Sequence, residues 1–590
     1  MQNITDTIQG GGRKTYSFLL LAICAAFVAT AETYYWAAPG LAGDWDGDTS
    51  WALSSGEFAT WDTSSNNHWA YFTNTEAVAS VTVSRNHGLY TFHNPNASNS
   101  AVTPFVRVNL GGSGTISMSE LSTETSTGKL GYMILSVRDG VKMRVTNANT
   151  VIGYNGHVVL EGGGSFLSAR RTWFGGSFAA SNSLTVCSGS TATFNDSLGI
   201  GCSTSLKRAC IGVVEINGGT LNVATNLYIG SRWGKVYKTD SFAVDNICGT
   251  GVFRVNGGNA QCSNVVMGAT WQNKINSASS RSSIIVDDGN FKIDNLVVGG
   301  HPTVAGAKSV AVNGGRLEIG SMMGMTGDSI GFRLYLNGGE LLLGNLATFS
   351  ANSSSDNVIV ANGGKIVASK SDINLTSGNK LNSMSLGAKG VTIDTNGHRV
   401  NLYQSTAGTG AIVKDGEGTL DVGWEAAHTG GFVVNGGLLL MSGTEARHFF
   451  GPVVVKDGAA VSVSATGDTL VSSMTFEGSA TESVAGTLTL NEGASFSFKD
   501  IAPETTVVSS VGLAVGASSV PVSVNLASRF SSLDTYKLIG GANISAANFE
   551  KFAIASVVAN GEDITDNVYL ELVDGDLCMR RYPGLSISIR

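Results

Sequence analysis

Two short patterns in the sequence contain side chains that could act as catalytic acids and bases. Asp287 and Asp288 are adjacent carboxylates, and glycoside hydrolases use carboxylate pairs for acid and base chemistry. Asn396-Gly397-His398-Arg399 places a histidine beside an arginine, but the Arg-x-Lys phrase expected of a polysaccharide lyase does not accompany it. Both patterns are typical of turns between strands, where Asp and Asn tolerate a left-handed backbone. We therefore predict no catalytic residue and a protein that is not an enzyme.

The other reactive side chains do not form a recognisable metal or nucleophile site. The eight histidines show no metal-ligand spacing, and no CxxC pair of the kind that holds zinc is present. No Gly-x-Ser-x-Gly elbow precedes a helix. Asp44-Trp45-Asp46-Gly47-Asp48 has oxygens at alternating positions, but Ser55 stands where a calcium loop needs a bidentate Glu. We predict neither a metal nor a cofactor.

One set of basic and aromatic residues favours ligand binding. Its members lie where the sequence repeat is stretched, and they are Arg170, Arg171, Trp173, Lys207, Arg208, Arg232, Trp233, Lys235, Tyr237, Trp271 and Lys274. Aromatic stacking and paired Arg hydrogen bonds suit acidic glycans or a negatively charged partner. The alternative is that long loops carry charges only because charges keep loops soluble.

The elements that position these residues follow a repeat. An apolar strand, an Asn-Gly-Gly turn, a second strand and a third strand ending in Gly recur in this order. The turns are Asn217-Gly218-Gly219, Asn256-Gly257-Gly258, Asn313-Gly314-Gly315, Asn337-Gly338-Gly339 and Asn435-Gly436-Gly437. The period is 24 residues from position 313 to 337, but 39 from 217 to 256. Residues inserted after the Gly-ended strand would form one patch if they leave the same corner of stacked units.

Two strand arrangements fit this repeat. Asn-Gly between alternating apolar residues is the strongest short hairpin signal and would give an antiparallel meander. A coil would stack each strand in parallel on its equivalent one repeat away. We favour the coil, because the Gly-ended strand, as in Asn226-Leu227-Tyr228-Ile229-Gly230, keeps its distance from the turn. The inward-facing apolar column then forms the core.

Composition supports an all-β chain without nucleic-acid partners. The 76 glycines among 590 residues are nearly twice the usual share of about 7%, and glycine supplies the positive φ of sharp corners. The formal charge of −8 argues against nucleic-acid binding. Residues 1–31 are predicted to be a signal peptide cleaved between Ala31 and Glu32. Its apolar run is short for a membrane span of about 20 residues, so we expect no transmembrane segment after its removal.

The segment 411–422, Ala-Ile-Val-Lys-Asp-Gly-Glu-Gly-Thr-Leu-Asp-Val, is followed at 429–440 by Thr-Gly-Gly-Phe-Val-Val-Asn-Gly-Gly-Leu-Leu-Leu. These phrases resemble the autotransporter-associated β-strand repeat, which reads Lys-x-Gly-x-Gly-Thr-Leu, a spacer, Thr-Gly-Gly and Val-x-Gly-Gly-x-Leu. The Trp-rich segment 33–83 and the closing β segment 536–576 are similar to the ends of such proteins. The resemblance implies a right-handed parallel β-helix passenger outside a Gram-negative-type cell.

The sequence departs from this family at its C-terminus. Only residues 582–590 follow the last β segment, whereas an autotransporter ends in a membrane barrel that needs at least eight strands of about 9 to 11 residues. We therefore expect other export machinery to move the chain outward, with a periplasmic location as the alternative.

We expect four segments: a signal peptide at 1–31, a Trp-rich β segment at 32–134, a β-helix array at 135–504 and a C-terminal β segment at 505–590. The predicted function is a secreted, nonenzymatic protein that presents loops for adhesion or forms part of a cell-surface coat, with a glycan or cell-surface partner. One alternative is a carbohydrate-active lyase or glycoside hydrolase on a β-helix. Another is a structural spacer with no ligand.

Overall fold

The structure of the chain is a computed structural model. It describes residues 32–583 except for the following segments: 39–41, 54, 56, 62–67, 73–77, 90, 94–105, 120, 122–132, 147–149, 154, 176–180, 203–209, 231–248, 269–280, 300–307, 325–330, 348–356, 378–380, 424–425, 443–446, 450, 465–468 and 542–543. The predicted signal peptide, including Ala31, lies outside the described residues.

Strands and turns form almost all of the described chain, which confirms the all-β class. The exceptions are one helix, α1 (Ala546–Phe549), and a 3-10 turn at Thr565–Asn567. In the described residues, neither is long or apolar enough to pass through a membrane. Strands form because apolar and polar residues alternate with a period of two, which places one side of each strand in the core.

A cluster of aromatic side chains packs among the N-terminal strands. These are β1 (Thr33–Trp36), β2 (Ala42–Asp44), β3 (Trp51–Ala52), β4 (Trp69–Tyr71), β5 (Val78–Val83), β6 (Asn86–Leu89), β7 (Thr91–His93), β8 (Val106–Gly112) and β9 (Thr115–Met118). Strands β3, β1, β4 and β7 form a separate sheet in that order. The buried rings of Trp45, Trp51 and Trp61 contact one another with centroids 4.9 to 5.1 Å apart.

The next strands build three parallel ladders. They are β10 (Met133–Val137), β11 (Lys142–Val145), β12 (Thr150–Ile152), β13 (His157–Leu160), β14 (Ser165–Ser168), β15 (Thr172–Gly175), β16 (Ser181–Cys187), β17 (Thr191–Phe194), β18 (Leu198–Cys202), β19 (Ile211–Asn217), β20 (Thr220–Ile229), β21 (Thr250–Met267), β22 (Ser282–Val298), β23 (Lys308–Val312), β24 (Arg316–Gly324), β25 (Phe332–Leu336) and β26 (Glu340–Leu343). Strands β13, β14 and β15 form one unit, and each pairs in parallel with its equivalent in β16, β17 and β18.

The ladders continue through residues 358–499, a region that includes the segment 411–440 resembling the autotransporter-associated repeat. Its strands are β27 (Val358–Ala361), β28 (Lys365–Ala368), β29 (Ile373–Thr376), β30 (Ser383–Leu386), β31 (Val391–Asp394), β32 (Arg399–Leu402), β33 (Thr406–Gly408), β34 (Ile412–Asp415), β35 (Thr419–Val422), β36 (Ala426–His428), β37 (Phe432–Val434), β38 (Leu438–Met441), β39 (Arg447–Phe449), β40 (Val453–Val455), β41 (Ala460–Val463), β42 (Thr469–Glu477) and β43 (Thr481–Lys499). All pair in parallel with the preceding unit.

The antiparallel meander is therefore wrong for the repeats, and the parallel stacking is confirmed. Each Asn-Gly-Gly is a corner within one unit, not a hairpin between two paired strands. Leu334 lies opposite Val310 of the preceding unit and Ile359 of the next one. Ten such residues form one inward column of almost fully buried side chains: Leu135, Val158, Leu184, Val214, Phe253, Ile284, Val310, Leu334, Ile359 and Met384. Burying each Val, Leu, Ile or Phe side chain contributes roughly 1.5 to 3 kcal/mol.

The Asn-Gly-Gly corner is explained by how closely the units stack. Asn337 Nδ2 donates to Asn313 Oδ1 at 2.8 Å, and Asn313 Nδ2 donates to Asp287 Oδ1 at 2.6 Å. Gly339 has φ +62°, and a Cβ there would lie 2.5 Å from the Gly315 carbonyl oxygen. The Asn is thus favoured by a ladder of side-chain amides, and the glycine is required by both φ and the approach of the next unit.

A buried lysine explains the Lys-x-Gly phrase. Lys414 is fully buried in an inward position, and its Nζ donates to the carbonyl oxygens of Asp415, Gly416 and Gly436. Gly436 belongs to the following unit. The ammonium therefore satisfies corner carbonyls of two units at once, and burial lowers its pKa to about 8.

The parallel ladders extend beyond 135–504 in both directions. Towards the C-terminus the strands are β44 (Val508–Val515), β45 (Val520–Leu526), β46 (Thr535–Gly540), β47 (Phe552–Ala559), β48 (Glu562–Asp563), β49 (Val568–Val573) and β50 (Asp576–Arg581). Strands β44, β45 and β47 still pair in parallel. Pairing becomes antiparallel at β46–β50, β47–β48 and β49–β50, so the stacking pattern changes at this end.

Candidate functional site

Six successive units end their third strand at one corner, which we call the excursion corner. Phe174, Ile200, Ile229, Met267, Val298 and Gly324 lie opposite one another in register. The chain leaves this corner six times, through the segments 176–180, 203–209, 231–248, 269–280, 300–307 and 325–330, which we call the excursions. Because neighbouring strands lie about 4.8 Å apart, the six departure points span roughly 24 Å.

The strands that follow the excursions also begin at positions that are in register. Ser181 lies opposite Ile211, and Ser282, Lys308 and Phe332 lie opposite one another where the next first strands begin. Strand ends and strand starts in successive units are therefore both in register. This is the corner where the spacing of the repeats places the inserted residues.

The excursion sequences are basic although the chain is acidic. Segments 203–209, 231–248 and 269–280 contain six lysines and arginines, which are Lys207, Arg208, Arg232, Lys235, Lys238 and Lys274, but only two acidic residues, Asp240 and Asp245. Their formal charge is +4, against −8 for the whole chain. Trp233, Tyr237 and Trp271 lie in the same segments. All eleven residues lie outside the described part of the chain, so only their points of attachment are placed.

An apolar surface adjoins the excursion corner. The outward side chains of the third ladder are Tyr228, Val266, Val297 and Met323, opposite one another in four successive units, and we call them the third-strand face. The first three are half-buried, and Met323 is 38% exposed. The sequence signal for this face is the middle residue of each Gly-ended strand, and a prediction based on charged residues misses it.

Trp173 packs beneath this face. Its side chain is only 3% exposed, its ring lies over Gly199, and its centroid is 6.1 Å from that of Tyr228. This burial is inconsistent with direct contact between Trp173 and a ligand, which corrects the prediction for this residue. Trp173 instead supports Tyr228 from the neighbouring unit.

Arg170 and Arg171 lie at a different corner from the excursions. They precede β15, whereas the excursion 176–180 follows it, and four strand residues at about 3.3 Å each separate the two corners by about 13 Å. Both side chains are exposed, and Arg171 Nε lies 3.5 Å from Asp196 Oδ2. The structure therefore does not bring these two arginines together with the excursion corner.

The candidate catalytic and calcium residues have structural partners. Asp287 accepts from Asn313 and lies 3.4 Å from Arg254 Nε, while Asp288 Oδ1 accepts from the Gly289 amide at 2.7 Å. Asn396 and Gly397 form a turn, with φ values of +47° and +79°. In the calcium-like segment, Asp44 Oδ1 accepts from the Asp46 amide at 3.0 Å. Both Asp287 and Asp44 hold corners in place.

Comparison of the chain with protein-family models, curated proteins and solved structures finds no match. The similarity of 411–440 to the autotransporter-associated repeat therefore stays a prediction from the quoted residues.

Proposed function

We propose that this chain is a secreted, nonenzymatic protein with a right-handed parallel β-helix, similar to autotransporter-associated repeat passengers, that presents its excursions to a glycan or cell-surface partner. It would act in adhesion or as part of a cell-surface coat, outside the cell. The parallel ladders support the β-helix, because a coil stacks each strand on its equivalent one unit away. The periplasm is the alternative location, and separate export machinery is the proposed route.

The observation that carries this proposal is the register of the six excursion attachment points. These attachment points lie about 4.8 Å apart along the ladder and therefore share one side of the stacked units. Three of these segments contain six cations and three large aromatic residues. Cations with aromatic rings suit an acidic glycan, which offers carboxylate or sulfate groups and apolar ring faces.

Replacing Arg232, Trp233 and Trp271 together with alanine tests the proposal. We expect binding to acidic glycans on an array, and to target cells, to fall at least tenfold, while the thermal unfolding temperature of the mature chain stays unchanged. Wild-type binding should also weaken as salt rises, because exposed charges are screened. The matched control is Lys142→Ala with Arg144→Ala, two exposed basic residues of β11. Unchanged binding by the triple variant would show that these excursion residues do not contribute to binding.

The nonenzymatic part of the proposal is tested by incubating the mature chain with acidic and neutral polysaccharides, once with calcium and once with a chelator. We expect no product. Turnover that disappears when an Asp or Glu outside the corners is replaced would contradict the proposal. Proteolysis of intact producing cells tests location, because a surface-exposed chain is cleaved and a periplasmic one is protected.

A further inference from the structure

A second surface, unrelated to the excursions, lies where the second strands meet the corner before the third. It is a groove with a cavity volume of about 330 Å³, lined by Thr193, Asn222, Gln261, Ser263, Lys292 and Asp294 among others. This volume is at the lower end of the range for small-molecule sites, about 300 to 1,000 Å³.

The groove exists because the corner changes length between neighbouring units. Two residues, Ala224 and Thr225, separate Val223 from Asn226, whereas Ser263 alone separates the paired residues Cys262 and Asn264. The longer corner forms a wall beside the shorter one, and the Ser263 hydroxyl donates to the Ala224 carbonyl at 2.9 Å. The wall is therefore tied to the floor by backbone geometry and by this hydrogen bond.

The floor of the groove carries side-chain amides that have no partner among the described residues. Thr193, Asn222, Gln261 and Lys292 lie opposite one another in four successive units. Other stacked amides pair with each other: Asn290 Nδ2 donates to Asn259 Oδ1 at 3.1 Å. Asn222 and Gln261 are direct neighbours across two strands, yet neither side-chain amide forms a hydrogen bond within the described part of the chain. Their donors and acceptors are available to a ligand.

Charges in the groove offset one another. Lys292 is the lining cation and Asp294 the lining anion, and Lys292 Nζ also lies 3.9 Å from Glu318 Oε1. Burial raises the pKa of the Cys262 thiol to about 12, so it carries no charge at neutral pH. A neutral ligand is therefore favoured over an anion, which is the opposite preference to that of the excursions.

We propose that this groove binds a neutral oligosaccharide, whose ring hydroxyls pair with the amides of Asn222 and Gln261 and with the Thr193 hydroxyl. Each sugar hydroxyl both donates and accepts, and each side-chain amide offers both functions as well. Repetition of these groups about every 4.8 Å along the ladder presents a row of contacts to a linear chain.

Titration calorimetry of the mature chain with maltohexaose, cellohexaose, laminarihexaose, mannohexaose and xylohexaose tests this inference. At least one of these should bind saturably, with a Kd that stays the same between roughly 50 and 500 mM salt, because uncharged contacts are not screened. Asn222→Ala with Gln261→Ala should weaken that binding at least tenfold. Asn222→Asp with Gln261→Glu keeps the side-chain size, removes the donors and should give the same loss.

The matched control is Asn259→Ala with Asn290→Ala, which removes a paired amide ladder next to the groove and should leave sugar binding unchanged. The inference is overturned if none of the five oligosaccharides binds, or if both groove variants bind like the wild type. The excursion triple variant, with Arg232, Trp233 and Trp271 replaced, should keep neutral-sugar binding. Loss of one activity without the other therefore separates this inference from the proposed function.

Discussion

At the residue scale, Glu482 is an exception to the rule that buried ionisable side chains have partners. It lies in an inward column between Val461 and Val508 of the adjacent units. Both carboxylate oxygens are buried and accept no hydrogen bond from the described residues. Burial raises the pKa of this carboxyl from 4.5 to about 8, so the folded protein holds it mainly in the neutral form at pH 7.

This placement predicts a pH-dependent stability. The folded state binds the Glu482 proton more tightly than the unfolded chain does, so the free energy of unfolding is greatest below pH 4.5 and falls as the pH rises to about 8. The loss at pH 7 is roughly 3 kcal/mol. Glu482→Gln should remove it, which makes the variant more stable than the wild type at pH 8 and nearly equal to it at pH 4. Urea unfolding at both pH values measures this effect.

The control for this prediction is Glu562→Gln, since Glu562 is exposed and its substitution should change stability by less than about 0.5 kcal/mol. If the pH profiles of wild type and Glu482→Gln run parallel, the carboxyl is not buried and unpaired as described.

Residue roles were predictable from sequence only where a repeat phrase defined them. The Asn of the corner could be read from its recurrence, but the network around Asp421 could not. Asp421 is fully buried and accepts from Arg399, Ser442 and, at 3.1 Å, the Tyr403 hydroxyl. Arg399 and Ser442 are each about one unit away, and only the folded register shows that Tyr403 covers the same carboxylate.

At the element scale, the stacking of the corners predicts that alanine costs more stability at one glycine than at another, although their backbone conformations are similar. Gly339 has φ +62°, and a Cβ added to it would lie 2.5 Å from the Gly315 carbonyl oxygen, whereas Gly397 has φ +79° and open space around it. Both substitutions by alanine pay the strain of a left-handed backbone, about 1 kcal/mol. Gly339→Ala should cost roughly 2 kcal/mol more than Gly397→Ala, because it also separates two units. Chemical unfolding of both variants measures the difference, and equal losses would contradict the stacking at this corner.

Elements were largely predictable because their pattern repeats. Alternation and the Asn-Gly-Gly corner indicated strands stacked in parallel, since the Gly-ended strand kept its place in every unit. Alternation did not show which outward side chains become covered by a neighbour. Trp173 was predicted to contact a ligand, yet it is buried, because Gly199 in the next unit leaves room for its ring. That contact depends on two residues in different units.

At the scale of the whole molecule, the C-terminal strands protect the end of the ladders. Strand β43 pairs in parallel with β44 and β45, both of which lie in residues 505–590. Deletion of 505–590 would expose the whole edge of β43, and exposed strand edges pair with other chains. We expect this truncated chain to aggregate in size-exclusion chromatography, whereas deletion of 584–590 alone should not. A soluble, monomeric truncated chain would show that β44 to β50 are dispensable.

The molecule-scale organisation was partly predictable. Period and spacing indicated stacked units and the corner where insertions lie, and both depend on backbone register alone. The proposed binding surface could not be derived in the same way, because the two arginines at 170 and 171 resemble the excursions in composition but lie at another corner. The groove also escaped prediction, since it arises from a change in corner length between two units.

Parallel, in-register stacking of neighbouring units is the feature that places the attachment points of the excursions on one side, and disulfide formation between introduced cysteines tests it directly. Ser283 and Ser309 are partners one unit apart with hydroxyl oxygens 3.2 Å apart, so Ser283→Cys with Ser309→Cys should cross-link readily under mild oxidation. A hairpin with the two-residue loop Asp288-Gly289 would instead bring Ser283 beside Asp294. Cross-linking of Ser283→Cys with Asp294→Cys, and not of the first pair, would contradict the parallel stacking.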